Sequence, residues 1–493
     1  MQKLLLPGFC IAKMTIGKRK CYICTKQYYD SCKSETDCKE HADALCTTCC
    51  VCEALPNGRR IRLCWRFLNT IAALERNMRI KSFLSACYQE KERLRLKVSI
   101  SLYNRHLRKM FPRISAQRPL RVMFYVNNLS MWKSDKLLQL LKNDRRFEPF
   151  VVSYLYPSDS TEEKMRIERE LFAHFRPMGI ECESGFDFKK NCEVPVSEFN
   201  AGLLFYPQPY RNRLKEIPRN VLLSYIPYCF EMEDHRHFYN KLYQNICWKI
   251  FVPTPLHKEL KAKYNVNKGV NVVVAGNPLA DYFFDGHTPS GDMWPSRNPQ
   301  LKRIIWAPHH SILPGDMLDY SNFLEIADAM LDVARKYAGK AQFVFKPHPM
   351  LKDKLYNLGS WGVSRTDKYY DAWSSLPNGG FANGNYVDLF MTSDALIHDC
   401  SSFTAEYLYV NKPVMYLTKK QRVEQFNTFA DECFKVHYHG STIADIESFI
   451  DNVVSGTDPM LDVRTRFIEA QLKPKGKATV AETIYNELCK IFD

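Results

Sequence analysis

The sequence has no apolar run long enough to cross a membrane. Its longest apolar stretches, such as Ala201–Tyr206, are far shorter than the roughly 20 residues that a spanning helix needs. The opening segment Met1–Cys10 is apolar but too short for a signal peptide, and no small-residue cleavage site follows it. We therefore expect the body of the protein to lie in the cytoplasm.

Several signatures of nucleotide and acyl chemistry are also missing. The chain has no GxxxxGK[ST] phosphate loop and no GxGxxG turn, so kinase-like and Rossmann-dehydrogenase functions lack support. A GxSxG nucleophile elbow is absent as well. No DxD-like acidic pair stands at an obvious strand end for a divalent metal. We therefore expect chemistry that requires no metal cofactor.

Cysteine is abundant but unevenly distributed. Ten of the 18 cysteines precede residue 65, and the others are scattered singly among apolar neighbours. Scattered cysteines are usually reduced and buried, as in a cytosolic protein. The early cysteines include two CxxC pairs, Cys21 with Cys24 and Cys46 with Cys49, whose spacing is compatible with a small structural zinc site. The alternative is a poorly folded leader.

The formal charge of +15 favours a polyanionic partner. A strongly basic segment over residues 78–118 carries apolar residues at every third or fourth position: Leu96, Ile100, Tyr103, Leu107 and Met110. This spacing predicts a basic amphipathic helix. Either the helix lies on an anionic membrane surface, or its apolar face packs on the domain that follows.

From residue 119 apolar strands alternate with helices, which predicts βαβ units and parallel sheets covered on both faces. A stretch rich in Pro and Gly interrupts this pattern, and the residues before Asn385, rich in Gly, Asn and Ser, predict a looser region. The predicted organisation is a Cys-rich leader (1–77), a basic helix (78–118), a first α/β domain (119–284), a linker (285–300) and a second α/β domain (301–493).

Three segments of the second domain place polar side chains directly after a predicted strand. They are Trp306–Ser311, with His309 and His310, Phe345–Pro349, with Lys346 and His348, and Ala395–Ser402. Ligands of open α/β sheets bind beyond the carboxyl ends of the strands. We therefore expect these segments to meet at one edge of the sheet.

The third segment turns into a predicted helix that begins with Ser401 and Ser402. Backbone N–H groups and two hydroxyls at a helix N-terminus suit a phosphate or pyrophosphate. The alternative is that Ser402 only caps the helix. His348, between two prolines at the end of a neighbouring strand, presents a rigid imidazole that can donate to a phosphate oxygen. Together these groups favour a phosphate site.

At these positions the chain resembles the CDP-glycerol glycerophosphotransferase family, the teichoic-acid primases and polymerases with a GT-B fold. The family hallmarks correspond to Ala307–His310, Lys346–Pro349, Ser393–Ser402 followed by Glu406, and Asn411–Pro413. The similarity extends over residues 120–490. It implies a GT-B-like arrangement, in which two doubly wound Rossmann-like domains face a cleft and the second binds a nucleotide donor.

The resemblance also implies which residues bind the donor. They are His309, His310, Lys346, His348, Asp399, Ser401, Ser402 and Glu406. Among them, His348 and the two serines would hold the donor pyrophosphate, and His348 would act in catalysis. Asp399 and Glu406 would position the loop or the donor polyol.

The acceptor side departs from the family pattern. Family polymerases carry a His-Gly-Thr-Pro sequence, whose histidine is taken as the base that deprotonates the acceptor hydroxyl. At the matching place this chain has Ser224–Phe230, which contains no histidine. Glu231 and His235 follow directly and are the candidate replacement bases. The alternative for this charged run is a solvated loop.

We therefore expect a transferase that moves a glycerol phosphate, another polyol phosphate or a glycosyl group from a nucleotide diphosphate donor, preferably CDP-linked. The acceptor would be a surface polysaccharide or a lipid-linked molecule, and the enzyme would lie peripherally on the inner face of the cell membrane. Apart from a possible zinc in the leader, no cofactor is expected. The alternatives are a nucleotide-sugar-dependent GT-B glycosyltransferase or epimerase-like enzyme, and a zinc-containing nucleic-acid-binding protein. Because the last leaves both α/β halves unexplained, nucleic acid is not the expected partner.

Overall fold

The computed structural model describes a discontinuous set of residues. The described ranges are 2–6, 9–16, 19–23, 78–156, 159–206, 218, 220–234, 239–289, 293–313, 320–384, 386–419, 426–474, 476 and 478–493. Side chains are described from Tyr88 onward, except that of Gln89. The chain forms two compact units, residues 1–95 and 96–493. Both large sheets lie in the second unit.

The described part of the leader forms a small antiparallel sheet. Its three strands are β1 (Gln2–Leu6), β2 (Phe9–Ile16) and β3 (Arg19–Ile23), in that order. Cys21 lies on β3, whereas Cys24, Cys46 and Cys49 lie outside the described residues. The zinc site over these four cysteines therefore stays a prediction.

The basic segment forms one long helix, α1 (Met78–Ser115). Ile100 and Tyr103, on its predicted apolar face, are buried in the cluster on one side of the first large sheet. Met110 and Ile114 join the cluster on the other side. Over residues 96–115, the apolar face therefore packs on the α/β region that follows, which is the second of the two predicted alternatives.

The first large sheet has seven parallel strands. They are β4 (Leu120–Val126), β5 (Phe147–Ser153), β6 (Glu181–Glu183), β9 (Leu203–Tyr206), β10 (Leu222–Tyr225), β11 (Lys249–Val252) and β12 (Val272–Val274), in the order β12-β11-β10-β9-β4-β5-β6. A short hairpin, β7 (Phe186–Asp187) and β8 (Cys192–Glu193), precedes β9. The helices between strands are α2 (Asp135–Asn143), α3 (Thr161–Phe175), α4 (Leu242–Ile246) and α5 (Pro255–Tyr264), and α6 (Ala280–Phe284) follows β12.

The second large sheet has six parallel strands. They are β13 (Lys302–Ala307), β14 (Ala341–Phe345), β15 (Gly379–Phe381), β16 (Ala395–His398), β17 (Val414–Leu417) and β18 (Tyr438–Gly440), in the order β15-β14-β13-β16-β17-β18. The helices that follow β13 in the chain are α7 (Phe323–Lys336), α8 (Leu351–Tyr356), α9 (Gly362–Ser375), α10 (Val387–Thr392), α11 (Phe403–Glu406), α12 (Thr428–Phe434), α13 (Ile443–Ser455), α14 (Leu461–Phe467) and α15 (Val480–Cys489).

The region before residue 385, predicted to be loose, contains the helices α8 and α9 and strand β15, so this prediction is wrong. Helix α9 buries Tyr369, Tyr370 and Trp373 on one side. Their rings contact Phe345 at the end of β14, and Trp373 also contacts Trp306. Aromatic burial of this size stabilises a helix whose local composition is unfavourable.

The last helix, α15, begins with a capping box, in which Thr479 and Glu482 each bond the other's backbone N–H. Although α15 follows the second sheet in the chain, it packs against α2 beside the first sheet. The Asp281 carboxylate accepts hydrogen bonds from the N–H groups of Val480 and Ala481 at 2.8 and 2.9 Å. The predicted fold class is confirmed: two doubly wound α/β halves, joined by a returning C-terminal helix.

Candidate active site

The strand order of the second sheet brings the three polar segments together. Strand β13 lies between β14 and β16, and Trp306 pairs with both Phe345 and Ile397. Because the three strands are parallel and in close register, the segments that follow them leave the sheet side by side. The expected meeting at one edge of the sheet is therefore observed.

Three imidazoles cluster at this edge. The ring centroids of His309 and His310 are 4.3 Å apart, those of His310 and His348 4.2 Å, and those of His309 and His348 5.1 Å. The N–H of His348 donates to the carbonyl of Pro308 at 2.9 Å, which ties the turn after β14 to the turn after β13. Each ring offers one nitrogen within 4.8 Å of the others, so the cluster has the composition of a transition-metal site as well as of an anion site.

Hydrogen bonds to the imidazoles indicate which nitrogens carry protons. The Ser311 hydroxyl accepts from the N–H of Tyr320 and lies 2.9 Å from Nδ1 of His309, which also accepts from the N–H of Ser311 at 3.2 Å. Nδ1 of His348 accepts from the N–H of Met350 at 3.2 Å. A neutral imidazole that accepts at Nδ1 carries its proton on Nε2. Both rings therefore present Nε2–H donors, which suit an anion.

The environment keeps these imidazoles neutral in the free protein. Burial, together with the neighbouring His310 and Lys346, lowers the pKa of His348 to about 3. The pKa of His309 is lowered in the same way, first by burial and then by His310 and His348. An anion bound among the rings would raise the pKa values of both imidazoles.

Lys346 adds a cation beside the imidazoles. It follows β14 directly and is only 4% exposed. Burial lowers its pKa to about 8, and the charge of Lys133 contributes to this shift. Among the residues that the structure describes, its ammonium group has no hydrogen-bond or ion-pair partner. A buried cation without a counter-ion favours an anionic ligand.

Asp399 connects the loops at the carboxyl edge of the second sheet through its two carboxylate oxygens. Its Oδ1 accepts from the N–H of His309 at 2.6 Å and its Oδ2 from the N–H of Asn322 at 2.7 Å. The side chain is buried, and burial raises its pKa to about 7 against these hydrogen bonds. Asp399 therefore holds the turns after β13 and β16 together.

The helix after Ser401 and Ser402 is only four residues long and continues as a 3-10 turn. The Ser402 side chain makes no capping hydrogen bond, so capping does not account for this residue. A helix of one turn contributes little dipole, so phosphate binding here would depend on the local N–H and hydroxyl groups. Glu406, at the end of the helix, is buried and accepts a hydrogen bond from Tyr386.

The acceptor-side candidates lie at the junction of the two halves. The Glu231 carboxylate forms an ion pair with the buried Lys261 at 2.7 Å, while His235 lies outside the described residues. Glu233 accepts from the Tyr320 hydroxyl at 2.5 Å, and the Tyr320 ring contacts His309. The described part of the charged run is thus built into the junction and is not a solvated loop. The assignment of the base to Glu231 or His235 stays a prediction.

Two residues of the first half were missed by sequence reasoning. Asn127 and Lys133 follow β4 and line a pocket at the carboxyl edge of the first sheet. The Lys133 ammonium lies 4.9 Å from the centre of the Tyr386 ring, which belongs to the second half. The position of Asn127 directly after a buried strand was the available signal, the same one that identified the histidines. Lys133 lies beyond a short 3-10 helix, Leu129–Met131, and had no such signal.

A comparison with protein families gives one match to this chain. Residues 254–472 match the model of a family described as CDP-glycerol:poly(glycerophosphate) glycerophosphotransferase. The predicted resemblance is confirmed there. Over these residues the chain is similar to the glycerophosphotransferases, and this similarity indicates a transferase. The histidine cluster, Asp399, the serine turn and Glu406 of this enzyme all lie within the matched residues, whereas Asn127 and Lys133 precede them.

Solved structures with a similar fold include bacterial enzymes of two kinds. The wall teichoic acid polymerase TagF has 13% identity and a TM-score of 0.48, over 84% of this chain and 98% of that one. A UDP-GlcNAc 2-epimerase from Neisseria meningitidis, bound to UDP-GlcNAc, has 13% identity and a TM-score of 0.47, over 75% of this chain and 99% of that one. Likenesses of this strength carry no information about activity. No curated protein matches the chain.

Proposed function

We propose that the enzyme transfers a polyol phosphate of the glycerol-phosphate type from a CDP-linked donor to a hydroxyl of a surface-polymer or lipid-linked acceptor. The observation that carries the proposal is the cluster of imidazoles and a buried lysine at the edge of the second sheet. It combines two Nε2–H donors, from His309 and His348, with the Lys346 ammonium, which has no partner among the described residues. This site lies within the residues that match the glycerophosphotransferase family.

The reaction would be a direct displacement at phosphorus. An acceptor hydroxyl oxygen forms a bond to the phosphorus of the transferred polyol phosphate, and the bond from that phosphorus to the bridging pyrophosphate oxygen breaks. The hydroxyl proton passes to a base of the first half, and the nucleoside monophosphate leaves. The imidazole donors and Lys346 would stabilise the charge that develops on the leaving phosphate, since fixed donors in a desolvated site act strongly on such charge.

We propose further that this chemistry needs no metal ion. The three imidazoles are a ligand set that zinc accepts, but a nitrogen that already carries a proton cannot coordinate a metal. The hydrogen bonds to Nδ1 of His309 and His348 leave that proton on Nε2. Activity that is unchanged after treatment with a chelator supports the proposal, and activity that is lost and then restored by zinc refutes it.

The donor is tested by calorimetric titration of the full-length protein with CDP, UDP and GDP. We expect all three to bind through the pyrophosphate, with CDP bound most tightly. The zinc content of the same sample tests the predicted cysteine site of the leader. If zinc is bound there and not by the imidazole cluster, a His309→Ala variant should retain it. Failure of all three nucleotides to bind would refute the proposed donor class, and tighter binding of UDP or GDP would refute the preference for CDP.

We also infer that the enzyme binds an anionic membrane surface through helix α1. None of the described helices has the length and apolarity needed to cross a bilayer. On α1, however, Val98 and Leu102 remain 59% and 52% exposed, one turn apart, and Arg105 and Lys109 are exposed on the following turns. Exposed apolar residues next to basic ones favour the interface of an anionic bilayer.

Vesicle binding tests this inference. The double variant Arg105→Glu and Lys109→Glu is expected to bind phosphatidylglycerol-containing vesicles at least about tenfold more weakly, because each basic residue near such a surface contributes on the order of 1 kcal/mol. The matched control is Lys340→Glu, an exposed lysine of the second half. Equal binding of wild type, variant and control in a sedimentation assay would contradict the inference.

A further inference from the structure

The first half of the chain contains a pocket that the donor site does not use. It has a cavity volume of about 50 Å³ and lies beyond the carboxyl ends of β4, β9 and β10. Its walls are mainly apolar and aromatic, and Trp132, Tyr206 and Tyr228 contribute to them. Pockets of this kind, with few polar groups placed among apolar walls, are typical of small-ligand sites.

Asn127 is the first of two polar groups that lack a partner in this pocket. It is 8% exposed, and its Oδ1 has no hydrogen-bond partner among the residues that the structure describes. A buried amide carbonyl without a donor is costly, so such groups usually receive a bond from a ligand or water. The chemical partner of a carbonyl oxygen is an O–H or N–H group. Asn127 therefore favours a ligand with a hydroxyl.

Lys133 is the second such group. Among the described residues, its ammonium has neither a hydrogen bond nor an ion pair, although it lies near the Tyr386 ring. Two carboxylates, Glu406 and Asp135, raise the pKa of Lys133 against the effect of burial. Both already accept hydrogen bonds, Glu406 from Tyr386 and Asp135 from Trp132. Lys133 therefore carries a half-buried charge for which the described residues provide no hydrogen-bonded counter-ion. An anion bound beside Lys133 would supply that counter-ion.

We propose that this pocket is the acceptor subsite and that it takes a polyol-phosphate end group, whose phosphate binds Lys133 and whose hydroxyl donates to Asn127. The inference rests on the proposed function and specifies its acceptor. A free hydroxyl together with a phosphate is the chemistry that this pair of groups recognises. Lys133 lies 4.9 Å from the centre of the Tyr386 ring, and the Tyr386 hydroxyl donates to Glu406, so the pocket adjoins the candidate donor site, as direct displacement requires.

Calorimetric titration with sn-glycerol 3-phosphate tests the subsite, using full-length wild type and the variants Lys133→Met, Lys133→Arg and Asn127→Ala. We expect millimolar binding to wild type and a loss of about 10- to 100-fold in Lys133→Met, since a charge-assisted hydrogen bond contributes that much. Lys133→Arg should retain most of the affinity, and Asn127→Ala should lose about tenfold or less. The matched control is Lys136→Met, which removes the neighbouring lysine that pairs with Asp285 outside the pocket lining.

CDP titration of the same proteins separates this inference from the proposed function. Unchanged CDP affinity in Lys133→Met, with lost glycerol 3-phosphate affinity, supports the acceptor subsite. Equal loss of both ligands would place Lys133 in the donor site and overturn the inference. Wild-type affinity for glycerol 3-phosphate in Lys133→Met, or none in wild type, would overturn it as well. Absence of CDP binding in wild type would instead refute the proposed function.

Discussion

Replacing His348 by alanine is expected to lower kcat by roughly 10²- to 10³-fold while the protein remains folded. In the proposed reaction, the Nε2–H of His348 donates to the leaving phosphate, and its Nδ1 is held by the N–H of Met350. A donor fixed before the reaction stabilises the departing charge without reorganisation, so its loss mainly affects the chemical step. The measurement is steady-state turnover, with circular dichroism and thermal unfolding as checks on the fold.

Two further variants make this result specific. His439→Ala removes an exposed histidine of the same half, which bonds only the Phe434 carbonyl among the contacts described, and should leave kcat unchanged. His348→Gln keeps an N–H donor near the position of Nε2, so it should recover part of the activity if donation alone is needed. If His348→Gln recovers none of the activity lost in His348→Ala, the result would indicate that His348 transfers a proton. Turnover close to wild type in folded His348→Ala would refute the assignment of this residue.

Much of the fold could be predicted because buried parallel strands are continuous apolar runs. Val414–Leu417 is such a run and forms β17, and Thr479 and Glu482 have the spacing of a capping box, which marks the start of the last helix. Helix α9 was missed because polar residues fill its first turns. Its aromatic residues, Tyr369 to Trp373, reveal a helix only through their packing on β14.

The site could be predicted in part for a similar reason. Polar residues directly after a strand must lie at the carboxyl edge of a parallel sheet, which brought out His309, His348 and their neighbours. The strand order that places β13 between β14 and β16 depends on tertiary packing, and no local sequence pattern predicts it. The contact of Lys133 with the Tyr386 ring depends on how the two halves meet, which spacing along the chain does not encode. The Tyr320–Ser311–His309 hydrogen bonds likewise join residues whose contact requires the folded loop.

Donor affinity is expected to fall as the pH rises through about 8, because Lys346 loses its proton there. Burial lowers the pKa of Lys346 to about 8, well below the ordinary lysine value. The ammonium attracts the donor pyrophosphate below this pH, and the neutral amine does not above it. The dissociation constant for CDP should therefore rise up to tenfold per pH unit above the pKa, and by about 10- to 100-fold in total, the contribution of one charge-assisted contact.

Lys346→Arg distinguishes this origin from a general effect of pH. A guanidinium stays charged throughout the range in which proteins remain folded, so the variant should bind CDP with little change between pH 7 and about 10. Lys336→Arg, a change at an exposed lysine paired with Glu447, should keep the wild-type profile. Because His309 and His348 are already neutral well below pH 7 in the free protein, they add no step in this range. An affinity that falls above pH 8 in Lys346→Arg as it does in wild type would show that another group controls donor binding.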